Sequence, residues 1–454
     1  MLTKRFLGQH LGDMEQHMRA PSQLMRKNRS LFLYAFAPAP LILLSWTLVF
    51  LGVTYGYIKR DELMVLSRTM QLNGVEFGFP LEGIAWISVC LLVVSVLGSA
   101  TIRPLPRSIR SLGNPNDLSL AISLAALTQI VVVLVVILWI TLGAISVGGF
   151  GQLIAMAAEQ ETVAAREAIL ENKLFPGMRL VYTTLISFGL FGAGVFVANI
   201  NSSHKIRRDM KLGVGMFLLS VVVLAMLPIF LSQRILLVHM ILSTFIASSI
   251  IAGRPLRLRF GLIFAILLFS VWSFREAVTV GEWASEYTNM RIGAEKLIYY
   301  FVNDFHNAVV PFSEDFEHTY GVYTFKFAVY LSGTEDIIGS AFRERIGAVE
   351  AFRAGGAFPA FTAHYVDFSW MGAIFLAGLM VVFTWVFNAA QRSFTVALIY
   401  GQIGSALILS PHTPWYSHHN FVFNVLVILL IGALIRRTQN AKARKIGTAP
   451  IATT

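Results

Sequence analysis

The sequence predicts an all-α polytopic membrane protein, and three observations lead to this fold class. Of its 454 residues, 56% are hydrophobic and only 13% are charged, which is too apolar for an ordinary water-soluble domain. Runs of roughly 20 apolar residues, enough to cross about 30 Å of hydrocarbon, recur along the chain. Basic residues are concentrated in alternate polar segments, as in chains that cross a bilayer repeatedly.

The apolar runs predict about ten transmembrane helices. They lie near residues 30–57, 83–100, 119–148, 178–200, 212–231, 235–252, 260–274, 369–390, 393–410 and 421–435. The first run lacks a small-residue cleavage site, so we expect a retained helix rather than a signal peptide. The predicted organisation is an N-terminal segment 1–29, helices 1–7 within 30–274, a large loop 275–368, helices 8–10 within 369–435 and a tail 436–454.

The distribution of lysine and arginine predicts the orientation, because cytoplasmic loops accumulate both residues. One set of alternate segments holds 22 of the 36 basic residues and only 4 of the 25 acidic ones: 1–29, 101–118, 201–211, 253–259, 391–392 and 436–454. The other segments hold 14 basic and 21 acidic residues. Both termini are therefore expected in the cytoplasm. The net charge of +11 then reflects topology and lipid headgroups and needs no nucleic-acid partner.

The large outer loop is where we expect function. Residues 275–368 contain 13 acidic residues, seven basic residues and three of the ten histidines. Loops of this length are usually functional or disordered. The aromatic segments 297–312 and 320–333 argue against disorder, because they would bury themselves at the interface or dip partly into the bundle.

The spans themselves carry little charge. His239 is the clearly titratable group at membrane depth, whereas ion-coupled transporters usually place acidic or basic groups there, so that class is disfavoured. The single cysteine, Cys90, excludes an intramolecular disulfide and a cysteine metal cluster.

Arg234 stands at a tight reversal between two apolar runs, next to Ser232 and Gln233. The next helix begins there, with its free N–H groups directed outward, and an added guanidinium suits a phosphate or diphosphate. The alternative is an arginine that snorkels to lipid phosphates. The large loop brings five further arginines to the same side: Arg275, Arg291, Arg343, Arg345 and Arg353. They favour a substrate with a diphosphate head and an apolar tail. The alternative is that carboxylates of the loop pair with these arginines.

Three residues of the loop are candidates for acid–base chemistry. His364 and Asp367, at positions i and i+3, would share a helix face and could act as a base with an orienting carboxylate. The alternative is an interfacial histidine with a helix-capping aspartate. His306, with Asp304 and Asn307 nearby, is a second candidate base, whose alternative is a polar tip on an interfacial helix.

The outer turn at residues 410–421 combines histidines with aromatic residues. These side chains could contact sugar or form a belt at the water interface: His412, Trp415, Tyr416, His418 and His419. A metal held by the two adjacent histidines is disfavoured, because neighbouring residues rarely face one ion and no carboxylate completes the set. We predict no metal and no cofactor.

Three segments together resemble the Wzy-type oligosaccharide repeat-unit polymerases, which are relatives of the O-antigen ligases. FLSQRILLV (230–238) resembles the family's Ser-x-Arg turn into a helix, with Gln233 inserted. YGVYTFKFAVYL (320–331) is similar to its Gly-x-x-Thr-Phe segment. GGAFPAFTAHYVDFSWMG (355–372) resembles its aromatic-Asp-Phe-Gly-x-x-Gly stretch, with Ser369 in place of the first glycine; serine would tolerate the same backbone if φ is negative there.

The resemblance implies a metal-independent, multi-span (GT-C-like) glycosyltransferase at the outer face of a bacterial inner membrane. Such enzymes transfer a growing glycan from undecaprenyl diphosphate onto a new lipid-linked repeat unit, in O-antigen or exopolysaccharide synthesis. A flippase and a chain-length regulator are the protein partners that it implies. Arg234 would hold the departing diphosphate, and the loop arginines would complete that site.

Two other functions stay open at this point. An O-antigen-ligase-type transferase would be expected to carry an outer-loop histidine with a glycine at a fixed distance after it, and His306 has none there. A non-enzymatic flippase or exporter of lipid-linked oligosaccharide would need a cationic cavity at membrane depth. The arginines of this sequence are predicted at the outer rim instead.

Overall fold

The computed structural model confirms the all-α class. It describes residues 33–100, 115–158, 162–201, 206–231, 235–254, 256, 261–332 and 344–446. The exceptions within these ranges are residues 173, 176, 263–264, 267–268, 271, 275, 278–283 and 285. The described residues are 81% helical and contain no strand. The helices of this part of the chain are α1 Pro38–Ile58, α2 Met64–Leu72, α3 Leu81–Ala100, α4 Pro115–Ser146, α5 Phe150–Ala158, α6 Thr162–Glu171, α7 Met178–Thr183, α8 Leu185–Asn201, α9 Arg207–Leu231, α10 Ile235–Ala252, α11 Asn289–Val309, α12 Lys326–Ser332, α13 Ala360–Phe368, α14 Gly372–Ala390, α15 Phe394–Ile408 and α16 His419–Ile446.

Among the described residues, eight helical stretches are long and apolar enough to cross a membrane, which agrees with a polytopic membrane protein. They are Pro38–Ile58, Leu81–Ala100, Leu118–Ser146, Leu180–Asn201, Arg207–Met226, Ile235–Ala252, Ala360–Ala390 and His419–Asn440. Each overlaps a predicted span. The predicted span 393–410 is a shorter apolar helix, Phe394–Ile408, and the predicted span 260–274 lies only partly within the described residues.

Two segments outside the predicted spans are helical. The segment between the predicted spans 119–148 and 178–200 forms the two helices α5 and α6. The end of the large loop forms α13, which runs into α14 through a short 3₁₀ turn, Ser369–Met371. The apolar stretch therefore becomes helical nine residues before the predicted start of that span.

In the bundle, α10 packs closely against α8 and α15, and α9 packs closely against α8. Small residues allow this approach. A Cβ atom added to Gly401 on α15 would lie 2.6 Å from the carbonyl oxygen of Ser243 on α10. Such small-residue contacts are typical of helices that associate within a membrane, where van der Waals packing replaces the hydrophobic driving force.

Helix α11, from the large loop, packs on α1 and α2. A Cβ at Gly52 would lie 2.4 Å from Cδ2 of Phe301, so the ring occupies the space that this glycine leaves. At the start of α11, the buried Glu295 carboxylate accepts hydrogen bonds from the backbone N–H groups of Val65 (2.8 Å) and Leu66 (3.2 Å). It thereby satisfies N–H groups in the first turn of α2 that have no partner within that helix. The large loop is thus docked on the bundle through this helix.

Helix α13 is also buried. The Phe361 ring stacks on Trp46 at a centroid distance of 4.9 Å, and the indole Nε1 of Trp86 donates to the Phe361 carbonyl at 3.2 Å. The Thr362 hydroxyl donates to the carbonyl of Ala308 at 2.8 Å, which joins α13 to α11. The end of the bundle at which α11, α13 and the turn after α15 meet is called the large-loop face below.

Ser369 ends α13 with φ 53° and ψ −145°, so the condition of a negative φ, under which serine would replace the glycine without strain, is not met. Glycine adopts this region easily, whereas a residue with a Cβ is strained by about 1–3 kcal/mol. The conformation is the one that a glycine at this position would favour.

We predict that Ser369→Gly raises the free energy of unfolding by about 1 kcal/mol, because it relieves the strain of the positive φ. Thermal unfolding of the purified protein in detergent checks this. Ser369→Ala is the matched control and should bring no gain, since alanine keeps the Cβ. A lower melting temperature for the glycine variant would contradict the prediction.

We also predict that Gly52→Ala destabilises the docking of α11, because the new methyl group overlaps Phe301 and such overpacking costs about 1–3 kcal/mol. Gly378→Ala on α14 is the control, because a Cβ there has no neighbour within 4 Å. Protease accessibility of residues 289–309 measures the docking. Equal accessibility in the two variants would show that the contact is not needed.

Candidate functional site

Two cavities open at the large-loop face. The first, called the dyad cavity, has a volume of about 270 Å³. It is lined by Ile235, Tyr323, Arg353, Gly356, Ala357, His412, Thr413, Pro414, Trp415, Ser417 and His418. The second, called the loop cavity, has a volume of about 380 Å³ and is lined by Asn73, Gly74, Glu76, Gly78, His306, Val310, Ser313, Phe352, Arg353 and Ala354. Both are lined by residues distant in sequence, and Arg353 borders both.

His412, which lines the dyad cavity, forms a histidine–carboxylate pair with Asp304, and this pair is called the dyad below. Nδ1 of His412, in the turn after α15, lies 2.8 Å from Oδ1 of Asp304, in the last turns of α11. Asp304 is buried, whereas the His412 side chain keeps 34% of its surface exposed. Because Nδ1 faces the carboxylate, Nε2 is the ring atom left for a ligand. A carboxylate that orients an imidazole in this way is a recurring arrangement for a general base.

The two groups of the pair influence each other's ionisation. The negative charge of Asp304 raises the pKa of His412, against the opposing effect of burial. Burial raises the pKa of Asp304, while His412 acts in the opposite direction. The imidazole is therefore a stronger base than a free histidine, and the protonated imidazolium is stabilised by its partner.

Arg353 is held at the boundary of the two cavities. Its Nη2 lies 3.1 Å from a carboxylate oxygen of Glu350, and its Nη1 donates to the carbonyl of Gly356. Gly356 has a φ of +72°, a conformation that brings its carbonyl back towards the guanidinium. The guanidinium has five N–H donors, of which these contacts use only some, so it can still bind an anion.

Asn307 on α11 fixes the backbone beside Arg353. Its Oδ1 accepts from the N–H of Ala354 at 3.0 Å, and its Nδ2 donates to the carbonyl of Gly355 at 2.8 Å. Gly355 has a φ of +82°, which allows this turn. Helix α11 therefore supplies Asp304 to the dyad and also positions the segment that carries the arginine.

Aromatic groups form another wall of the dyad cavity. The rings of Trp415 and His418 stack with centroids 4.7 Å apart. The buried indole Nε1 of Trp415 has no hydrogen-bond partner among the described residues, so it remains a donor for a ligand or a water molecule. Ile235, the residue directly after Arg234 in sequence, also lines this cavity.

His364 and Asp367 do not form the expected pair, which corrects the geometry predicted from the sequence. Both lie on the predicted helix and are buried. However, the His364 ring contacts the Tyr416 hydroxyl through Nε2 (2.7 Å) and the Thr324 hydroxyl through Nδ1 (3.4 Å). Neither residue lines the dyad cavity or the loop cavity.

The Asp367 carboxylate instead holds a turn before α12. It accepts from the N–H of Tyr323 at 2.9 Å, from the N–H of Thr324 at 2.6 Å and from the hydroxyl of Thr319. A carboxylate that already accepts three hydrogen bonds has a structural role. The contacts of Asp367 therefore fit a structural aspartate better than a catalytic one.

His306 lines the loop cavity rather than the dyad cavity. Burial lowers the pKa of His306, and Glu76 opposes this effect. The two polar neighbours noted in the sequence are used elsewhere, because Asp304 contacts His412 and Asn307 contacts residues 354–355. Neither of these two neighbours therefore orients His306 as a base.

The predicted arginines divide into two groups. Arg291, Arg345 and Arg353 each lie next to a carboxylate, that of Glu295 (2.8 Å), Glu317 (3.4 Å) and Glu350 (3.1 Å). Of these three arginines, Arg353 lines both the dyad cavity and the loop cavity, and the other two line neither of them. Arg234, Arg275 and Arg343 lie outside the described residues.

Sequence reasoning named both members of the dyad but did not join them. His412 was assigned to the aromatic turn and Asp304 to the surroundings of His306, and 108 residues separate them. Within the part of the chain that is described, no group of three or more His, Cys, Asp and Glu side chains could hold a metal ion.

The comparisons leave the family open. Neither protein-family models, nor curated proteins, nor solved structures match this chain. The function must therefore be argued from the cavities and the chemistry of their side chains.

Proposed function

We propose that this protein is a polysaccharide polymerase, which transfers a growing undecaprenyl-diphosphate-linked glycan onto a new lipid-linked repeat unit. The observation that carries the proposal is the dyad cavity, in which Arg353 and His412 line one space at the end of an apolar bundle and Asp304 hydrogen-bonds the His412 ring. The sequence resemblance to Wzy-type polymerases points to the same reaction class.

The residues of the cavity match the needs of glycosyl transfer. His412 Nε2 accepts the proton of the acceptor hydroxyl, while Asp304 stabilises the resulting imidazolium. The acceptor oxygen then bonds to the anomeric carbon, and the bond from that carbon to the carrier diphosphate breaks. The diphosphate leaves with the bonding electron pair, and its charge is stabilised by Arg353, with Arg234 as the second cation that we assign to it.

The setting of the cavity supports a lipid-linked substrate. The charge asymmetry of the polar segments supports an outer position for the large-loop face, with both termini in the cytoplasm, and the family resemblance implies a bacterial inner membrane. We assign ten spans and a GT-C-like architecture to the bundle, and no metal or cofactor to the reaction. The lipid tail of the carrier would remain in the bilayer beside the bundle.

The deciding experiment incubates the purified protein in liposomes with a lipid-linked repeat unit and separates the products by glycan gel. Elongated lipid-linked product is the expected result. Removing one stabilising cation, in Arg353→Ala or Arg234→Ala, should lower the rate by about 10²–10³-fold. Arg60→Ala is the control, because this exposed arginine belongs to another loop and lines neither cavity. Translocation without elongation would replace the proposal by a flippase.

The dyad predicts a pH dependence. Because His412 must be unprotonated to act as a base, the rate should rise with pH through its raised pKa. Asp304→Asn removes the charge that raises this pKa, so the acid limb of the profile should shift to lower pH while the maximal rate falls. His412→Ala should lose about 10²–10⁴-fold and show no such limb. Unchanged profiles in both variants would remove the dyad from the mechanism.

A further inference from the structure

The loop cavity has the chemistry of a carbohydrate site. Its volume of about 380 Å³ lies within the range of ligand pockets, about 300–1,000 Å³. The Phe352 ring adds an apolar surface to this cavity. Polar side chains of several types also line it: Asn73, Glu76, His306, Ser313 and Arg353. Donors and acceptors in one open cavity, next to an aromatic ring, match the alternating hydroxyls and C–H faces of a pyranose.

His306 supplies an unused hydrogen-bonding atom in this cavity. Its buried Nδ1 has no hydrogen-bond partner among the described residues. A buried polar atom without a partner costs free energy, so a hydroxyl that reaches Nδ1 is favoured.

The two cavities adjoin along one segment of chain. Arg353 lines both of them, Ala354 lines the loop cavity, and Gly356 lines the dyad cavity. A sugar whose reacting atom lies beside His412 would therefore place the next sugar of its chain near Arg353. A glycan of more than one unit is long enough to enter both spaces.

We propose that the loop cavity binds a neighbouring sugar of the substrate glycan, through hydroxyl contacts to Asn73, Glu76 and His306. This inference rests on the proposed polymerase function. The ligand is a hydroxyl-rich pyranose, and the carboxylate of Glu76 disfavours a phosphate as the occupant. The sugar belongs either to the growing chain or to the incoming unit.

Binding is tested without turnover. The protein in lipid nanodiscs is applied to an array of lipid-free bacterial repeat-unit oligosaccharides, and affinities of retained glycans are measured by calorimetry. Asn73→Ala and Glu76→Gln should each weaken binding about tenfold, because each removes one hydrogen bond to a charged or buried group and such a loss lowers affinity by about this factor. Asp61→Asn is the matched control on the same loop, because Asp61 is exposed and lines neither cavity.

The outcomes separate this inference from the polymerase proposal. No retained glycan, or equal affinity in all variants, would overturn the sugar site even if polymer is still made. In the elongation assay, a raised KM for the donor alone assigns the site to the growing chain, and a raised KM for the acceptor alone assigns it to the incoming unit. Unchanged KM values for both would also overturn it. Equal thermal unfolding of Glu76→Gln and the parent protein confirms that the variant is folded.

Discussion

The docking of α11 on the bundle is the constraint on which the other features of the large-loop face depend. One end of this helix is fixed by Glu295, whose carboxylate satisfies backbone N–H groups of α2, and its middle packs into the space beside Gly52. Its last turns place Asp304 against His412 and His306 in the loop cavity. Both cavities therefore owe their geometry to one helix that, by composition, belongs to a loop.

In hydrocarbon, an apolar chain must satisfy its backbone hydrogen-bonding groups internally, and few structures other than helices do so. Composition and periodicity therefore predicted the helical bundle. The site was harder to predict. Asp304 meets His412 only because α11 folds back over the end of α15, and no local pattern encodes that contact. His364 and Asp367 suggested a pair by their spacing, yet each found a partner on another segment. Spacing fixes which face of a helix two side chains share, but tertiary packing decides what that face meets.

Two of the three segments that carry the family resemblance contact each other. Asp367 belongs to the segment 355–372, and its carboxylate accepts hydrogen bonds from the backbone N–H groups of Tyr323 and Thr324. Both of these residues belong to the segment 320–331. The glycine-like conformation of Ser369 follows directly after. These motif residues therefore build a turn and a helix end beside the cavities. They support the chemistry through position, while Arg353, His412 and Asp304 are the groups suited to perform it.

The short length of α15 has a consequence for the environment of the dyad. Fifteen residues extend about 22 Å, which is about 8 Å less than the hydrocarbon thickness of a typical bilayer. Most of this helix is enclosed by its neighbours, so it need not match the bilayer. A helix of this length with one end level with a membrane boundary would leave the turn that carries His412 in a recess below the opposite boundary. Charges in such a recess would be poorly screened by salt, so the cation and the dyad would act on each other and on an anionic ligand more strongly than surface groups do.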